Sequence, residues 1–305
     1  MQQKTMQQTN KKFPKFKRAR GERPGLKMQP RDIQIIKLVY DHRFLDSDQI
    51  RALTNGSGQV VSRRLQKLFH NGYLDRPSQQ FSYTAGGKTI IYGLGNKGSD
   101  ILSSEFGIDR GKINWMTKNH EAKMRHLNHT MMISNFRVCL ALGLKETQKA
   151  TLIFWKQNET GELRDHVVIK GENKTEHTRL PINPDSFFAI QDLNGKKSHF
   201  FLEADQSTMT NARFFRKMRA YWNYWKQGGH TLKYDIKSFR VITLTKSIQR
   251  ADNLRRAAKL ADDKQKGTLM FWFTSEREYT LEEPGSVLRS IWQTPADDSR
   301  HSILE

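Results

Sequence analysis

The chain has 305 residues, and its 52 lysine and arginine residues outnumber its 31 acidic residues to give a net charge of +21. The length predicts two domains with tails, and the hydrophobic share of 36% is enough for real cores. So large a charge excess argues against an ordinary cytosolic enzyme. It indicates a polyanionic partner, with nucleic acid as the first candidate and an anionic membrane surface as the second.

Hydropathy and cysteine content indicate the compartment. No apolar run approaches the length that crossing a bilayer requires, so no membrane insertion is expected. The N-terminus lacks the apolar core of a signal peptide. The only cysteine, Cys139, cannot form an internal disulfide, and it falls in an apolar helical stretch where core packing is expected. We therefore expect a cytoplasmic protein.

Residues 1–29 are predicted to form a basic tail. They hold nine lysine and arginine residues against one acid, Glu22, and almost no periodic apolar signal. Such a segment is expected to be disordered alone. It would either lie along phosphates or serve only to keep the chain soluble.

Residues 30–105 are predicted to form a compact helical domain with one hairpin. The helices are expected over about 32–41, 47–53, 59–71 and 97–105, and the hairpin strands over 81–84 and 89–92. Ser47 is the predicted cap of the second helix. Three helices followed by a two-stranded wing with glycines at its tip resemble a winged helix-turn-helix.

In a winged helix the third helix lies in the major groove of DNA. Its apolar face here is Val61, Leu65 and Leu68. The outward face carries side chains that bond base edges or phosphates: Gln59, Ser62, Arg63, Gln66 and Lys67. Lys88 at the wing would meet the backbone of double-stranded DNA. The alternative is a winged helix used for protein contacts.

Residues 106–118 are a predicted linker, and residues 119–283 a second domain with one mixed sheet. It opens with a long helix from about 119 to 143 whose buried stripe includes Met131. His126 and His129 share one helix face, where structural roles are more common than a metal site. A polar loop is expected over 157–179 and a polar C-terminal tail over 284–305.

The second domain is organised around a hairpin over residues 181–205. Its turn, Asp192 to Gly195, contains Asn-Gly, which is a strong hairpin signal. Pairing around this turn brings Asp185 near Glu203 and Asp205, and strand alternation puts Glu203 and Asp205 on one face. Converging carboxylates are unfavourable unless a cation or a proton lies among them. Mg²⁺ or Mn²⁺ is therefore the expected metal, although solvated or ion-paired carboxylates would also explain the pattern.

These residues resemble two known patterns. Pro184-Asp185 on one strand and Glu203 on the next look like the core of the PD-(D/E)xK nucleases. The order of motifs along the chain is similar to that of the replication-relaxation family: an upstream winged helix that begins with Arg31-Asp32-Ile33, then His129. This family includes the MobC-type relaxases of mobilisable plasmids. The resemblance covers roughly residues 30–275.

The resemblance implies an α/β (α+β) chain in which a winged helix is followed by a restriction-endonuclease-like domain. It also implies that the chain nicks DNA at an origin of transfer or replication. It implies catalytic or metal roles at Asp185, Glu203, Asp205 and His129. Asp205 stands where the nuclease motif has lysine, and Lys217 on the following helix could replace that lysine. Accessory mobilisation proteins or a conjugative coupling protein are further implied partners.

Three alternatives to this interpretation stay open. The chain could be a non-catalytic replication initiator or accessory transfer factor with a degenerate nuclease fold. A membrane-surface protein is disfavoured because no helix has the strongly apolar face that such binding needs. The third alternative is a different chemistry, in which Tyr221 or Tyr224 would act as a covalent nucleophile.

Overall fold

The computed structural model describes residues 13–80, 89–113, 119–158, 160–170 and 177–305. The chain forms two compact units, Met1–Leu127 and Asn128–Glu305. The division falls after Leu127, whereas the sequence suggested a linker over 106–118; the described part of that stretch contains a short 3-10 helix, Arg110–Ile113. In the described ranges no helix is long and apolar enough to cross a membrane.

Four helices of the first unit match the predicted elements to within a few residues: α1 (Pro30–His42), α2 (Ser47–Leu53), α3 (Gly58–His70) and α4 (Asn96–Phe106). The predicted cap of α2 is wrong by one residue. Asp46, not Ser47, is the N-cap, because its carboxylate accepts hydrogen bonds from the N–H groups of Asp48 and Gln49.

A small sheet in the first unit joins β1 (Phe44–Asp46), β2 (Leu74–Asp75) and β3 (Ile91–Leu94) in the order β1-β3-β2. The strand predicted at 89–92 therefore begins two residues later. Its predicted hairpin partner, 81–84, and Lys88 lie outside the described residues. The two short outer strands were missed because strands of two or three residues carry too little alternation to detect.

Residues 13–29, predicted as part of a disordered tail, instead lie along the first unit. The guanidinium of Arg18 donates hydrogen bonds to Phe69 O, at 3.3 Å, and to the Asp75 carboxylate, at 3.2 Å. Asn71 Nδ2 donates to Pro24 O at 2.9 Å. Basic side chains and backbone carbonyls thus fasten a segment that has no apolar periodicity.

The second unit is built on a seven-stranded mixed sheet, which confirms the predicted α/β fold class. Its strands are β4 (Ala150–Gln157), β7 (Ser186–Asp192), β8 (Lys197–Asp205), β9 (Arg240–Thr245), β10 (Phe271–Ser275), β11 (Trp292–Gln293) and β12 (Arg300–His301). Their order in the sheet is β12-β11-β10-β9-β8-β7-β4. The central strands β8, β9 and β10 run parallel, and every other pair is antiparallel.

Helices cover both faces of this sheet. The long helix α5 (Met124–Thr147) contributes Phe136 and Leu140 to one core, together with Phe188 and Leu202 from the sheet. The residue facing this core is Met132 rather than the predicted Met131. The other core contains Phe187 and Phe201 and the apolar faces of three helices: α6 (Asn211–Lys226), the short α7 (Gly229–Tyr234) and α8 (Ile248–Lys259).

Two parts of the second unit differ from the predictions. The loop expected at 157–179 contains β5 (Asp165–Lys170), which pairs with β6 (His177–Ile182) as a separate two-stranded ribbon. The expected C-terminal tail forms β11 and β12 at the sheet edge, where Trp292 is fully buried. Cys139 lies in the α5 core as predicted, with Sγ donating to Thr280 O at 3.5 Å.

Candidate active site

The β7–β8 hairpin positions the predicted carboxylates. Its register pairs Ser186 with Leu202, and its turn places Gly195 at a φ of 82°, a left-handed conformation that glycine adopts without strain. At the opposite end, Asp185 N–H donates to Leu202 O at 2.9 Å, and Ala204 N–H donates to Asp185 Oδ2 at 2.8 Å. The hairpin thus brings Asp185 beside Glu203, as the spacing around Asn194-Gly195 predicted.

The side chain of Glu203 is only 5% exposed, compared with 22% for Asp185. Both of its oxygens accept hydrogen bonds from α6. Lys217 Nζ donates to Oε2, and Tyr221 Oη donates to Oε1 at 2.6 Å. Lys217 and Tyr221 are four residues apart and therefore share one face of the helix. The sequence suggested Lys217, and the spacing would also have indicated Tyr221 as a second donor.

The pKa values of Glu203 and Lys217 are both raised in this site. Burial raises the pKa of Glu203 to about 7, although Lys217 acts in the opposite direction. Burial would lower the pKa of Lys217, but the negative charges of Glu203 and Asp185 raise it above its ordinary value. At neutral pH the lysine is therefore charged, while Glu203 lies close to its titration midpoint.

His129 on α5 completes the group around Asp185. Its Nε2 lies 3.2 Å from Asp185 Oδ2. Burial opposes charge on both groups, but their mutual contact raises the pKa of His129 and lowers that of Asp185, with Lys217 also lowering the latter. His129 therefore contacts a candidate site carboxylate directly, and both its structural and its catalytic role stay predictions.

Asp205 points to the same side of the sheet as Glu203 but has a different partner. Arg250 on α8 binds it through two nitrogens, with Nε 2.7 Å from Oδ2 and Nη2 3.2 Å from Oδ1. Ser207 N–H donates to Oδ2 at 3.0 Å. Both oxygens of Asp205 thus accept hydrogen bonds from protein groups, and its metal role stays a prediction.

The comparison with known protein families bears on this arrangement. The family model described as replication-relaxation matches residues 36–237, which include α3, the hairpin and α6. The chain belongs to the replication-relaxation family. The match confirms the family named from the sequence and supports a role in replication or relaxation. No curated protein and no solved structure matches the chain significantly.

The residues of this family member fit a divalent cation only in part. Within the described ranges, no group of three or more His, Cys, Asp or Glu side chains is arranged to hold a metal. Asp185 Oδ1 accepts no hydrogen bond from any described residue, whereas both Glu203 oxygens are occupied by Lys217 and Tyr221. A cation would therefore bind Asp185 directly and would have to compete with α6 for Glu203.

The two tyrosines considered as nucleophiles are not placed for that role. Tyr221 is fully buried, and Tyr224 is 2% exposed with its hydroxyl donating to Asp165 Oδ2 at 2.7 Å. Burial, followed by the neighbouring carboxylates, raises the pKa of both phenols. Neither hydroxyl is therefore prepared to form the phenolate that attack on a phosphate would need.

The predicted DNA-reading face of α3 is accessible. Gln59, Arg63 and Gln66 are exposed, and Ser62 and Lys67 are half-buried, while the predicted apolar residues are buried. Arg64, the neighbour of Arg63, is turned inward. Its Nε donates to Asp32 Oδ1 at 2.8 Å, so this arginine neutralises a carboxylate that is completely buried. Adjacent arginines on α3 thus have opposite environments.

Proposed function

We propose that the chain is a metal-dependent endonuclease that nicks one strand of plasmid DNA at an origin of transfer or replication, as a MobC-type relaxase would. The observation that carries the proposal is the grouping of Asp185, Glu203 and Lys217 at one end of the β7–β8 hairpin. Two carboxylates and a lysine are the side chains expected of a PD-(D/E)xK centre. In this chain the lysine comes from α6 instead of β8.

Asp185 and Glu203 are the residues that would hold Mg²⁺ or Mn²⁺. Such a cation, when bound, lowers the pKa of a water ligand and offsets charge on the phosphate. Lys217 stays protonated at neutral pH and supplies a fixed positive charge where a scissile phosphate would develop negative charge. His129 orients Asp185, and its raised pKa lets it hold a proton near neutral pH.

The proposed target is double-stranded origin DNA bound by a winged helix in the first unit. Two observations support this: the net charge of +21 and the exposed polar face of α3. Arg63 and Gln66 would contact base edges or phosphates in the major groove. Accessory mobilisation proteins or a coupling protein, and a cytoplasmic location, belong to the same proposal.

Relaxation of a supercoiled plasmid that carries the native origin tests this function. Wild type is expected to give open-circular product with Mg²⁺ or Mn²⁺ and none with a chelator. Glu203→Gln should abolish the product while origin binding stays intact. The matched control is Glu282→Gln, which removes an exposed carboxylate outside the site. Normal nicking by Glu203→Gln would place the active site elsewhere.

A non-catalytic origin-binding protein is the second candidate. The observation in its favour is that each carboxylate already has a protein cation beside it: His129 at Asp185, Lys217 at Glu203 and Arg250 at Asp205. Such a protein would bind the origin equally well with or without divalent metal. It would yield no open-circular product under any metal condition.

A further inference from the structure

A pocket of about 420 Å³ opens beside Lys217 in the second unit. Its volume is at the lower end of the range, about 300–1,000 Å³, that small-ligand sites occupy. One wall is apolar and the other is basic; the residues that matter here are Leu180, Pro181, Met209, Arg213, Arg216 and Lys217. Because Lys217 also donates to Glu203, the pocket adjoins the candidate active site.

The basic wall contains two arginines without an acidic partner among the described residues, Arg213 and Arg216, beside Lys217, which pairs with Glu203. Arg213, Arg216 and Lys217 are spaced i, i+3 and i+4 on α6, so they share one face of the helix. Arg213 and Arg216 are exposed, and neither lies within ion-pair distance of an acid among the described residues. Unpaired guanidinium groups beside a pocket are suited to phosphate, which they bind through two parallel hydrogen bonds.

The apolar wall indicates what accompanies the phosphate. Leu180, Pro181 and Met209 offer side chains that a base face would contact. In a duplex the base faces are covered by stacking, so such a wall is suited to a base from a single strand. A second pocket of about 450 Å³ shares Pro181 with this one, and its lining is mixed in charge: Arg164, Asp165, His166 and Arg179.

We propose that this pocket binds one nucleotide of a single DNA strand, with the phosphate on Arg213 and Arg216 and the base against Leu180, Pro181 and Met209. The inference deepens the proposed function, on which it rests, because a nicked strand next to the carboxylates would need such a holding site. It assigns that site to residues outside the nuclease motif.

The test is binding of the full chain to a fluorescent oligothymidylate, measured by anisotropy with a chelator present so that no cleavage occurs. The test variant is Arg213→Ala/Arg216→Ala. The matched control, Arg219→Ala/Arg256→Ala, removes two exposed arginines from α6 and α8 that do not line the pocket. Both variants lose the same charge, so long-range attraction falls equally in each. Thermal unfolding of each variant confirms that it is folded.

The Kd of the pocket variant is expected to exceed that of the control by about tenfold or more, since two charge-assisted contacts are lost only in the pocket variant. The slope of log K against log salt should fall by about 0.7, because the pocket engages one phosphate of the strand. Equal affinities of the two variants would overturn the proposal. An equal loss for a non-specific duplex would also overturn it.

This readout is independent of nicking. If wild type fails to relax plasmid but the pocket arginines control single-strand binding, the nuclease proposal fails and the pocket assignment stands. If wild type nicks but the pocket variant binds oligothymidylate like the control, only the pocket assignment fails.

Discussion

Lys217 follows Glu203 by 14 residues, and its Nζ donates a hydrogen bond to Oε2 of that buried carboxylate. Strand β8 carries Asp205 two residues after Glu203, where the nuclease motif has lysine, and Asp205 is paired with Arg250. In the proposed nuclease, the lysine that the strand lacks would be supplied by the next helix. This relationship decides which variants distinguish a catalytic centre from a structural ion pair.

Lys217→Met should reduce nicking about 100-fold, because a charge aimed at the transition state is lost. The substitution keeps the length and apolar stem of the side chain. Lys226→Met is the control, since Lys226 lies on the same helix and pairs with exposed Asp263. Initial rates of plasmid relaxation measure the effect. Equal rates for the two variants would remove Lys217 from the chemistry.

Nicking should rise with pH through the titration of Glu203. Its pKa of about 7 leaves the carboxyl mostly protonated at pH 6 and mostly ionised at pH 8, and only the ionised form binds a cation. The rate at low metal concentration is therefore expected to increase about tenfold over this interval. Rates measured between pH 6 and 8 test this. A rate that falls across the interval would contradict it.

Stability should change with pH in the opposite direction. Burial raises the pKa of folded Glu203 from 4.5 to about 7, so the folded state binds the proton more tightly than the unfolded state. The resulting stabilisation is present below pH 4.5 and is lost as the pH rises through 7, by about 3 kcal/mol. Urea unfolding at pH 5 and pH 8 in chelator measures this loss.

Glu203→Gln removes the titrating group and should flatten this dependence. Part of the pH dependence of stability should persist, because the raised pKa of His129 gives stabilisation that is also lost as the pH rises. Glu282→Gln, at an exposed position, should keep the wild-type profile. An unchanged profile in Glu203→Gln would show that Glu203 has an ordinary pKa.

The Asp205–Arg250 pair should matter for stability and not for nicking. Arg250→Met leaves a carboxylate that is 5% exposed without its cation, which typically costs about 3–5 kcal/mol. The double variant Asp205→Asn/Arg250→Met should recover much of this loss. Urea unfolding measures both variants. If Asp205→Asn stays folded and yet loses metal-dependent nicking, Asp205 would be a metal ligand after all.

Adjacent residues Arg63 and Arg64 should separate DNA binding from folding. Arg63 is exposed on the proposed reading face, so Arg63→Ala should weaken origin binding by about tenfold and leave stability unchanged. Arg64→Ala leaves the buried carboxylate of Asp32 without its cation and should cost about 3–5 kcal/mol in stability. Origin binding and urea unfolding of both variants provide the comparison. Normal origin binding by Arg63→Ala would argue against α3 as the reading helix.

The site was predictable where local rules determine it. The Asn194-Gly195 turn fixes the hairpin register, and alternation along β8 then fixes which side Glu203 and Asp205 face. The side chains that pair with these carboxylates are harder to predict from a sequence. Arg250 reaches Asp205 across 45 residues of chain, and only the packing of α8 on the sheet brings them together.

The overlooked strands have a similar explanation. Strands β11 and β12 contain two residues each, so no alternation marks them, and a polar composition suggested a tail. Trp292 was the available signal, because a large aromatic side chain in a supposed tail usually has a core to enter. The β5–β6 ribbon was missed because the apolar run of β5, Val167 to Ile169, is only three residues long and lies in a polar, charged stretch.

The burial of Cys139 has a practical consequence for following this protein in solution. The chain has one cysteine, and burial raises the pKa of its thiol to about 12, so maleimide reagents meet almost no thiolate there. Leu193, 79% exposed in the hairpin turn, lies at the opposite end of β7 and β8 from Asp185. A dye introduced by Leu193→Cys would therefore attach at one position without first removing the native thiol, and its fluorescence would report on the strands that carry the carboxylates.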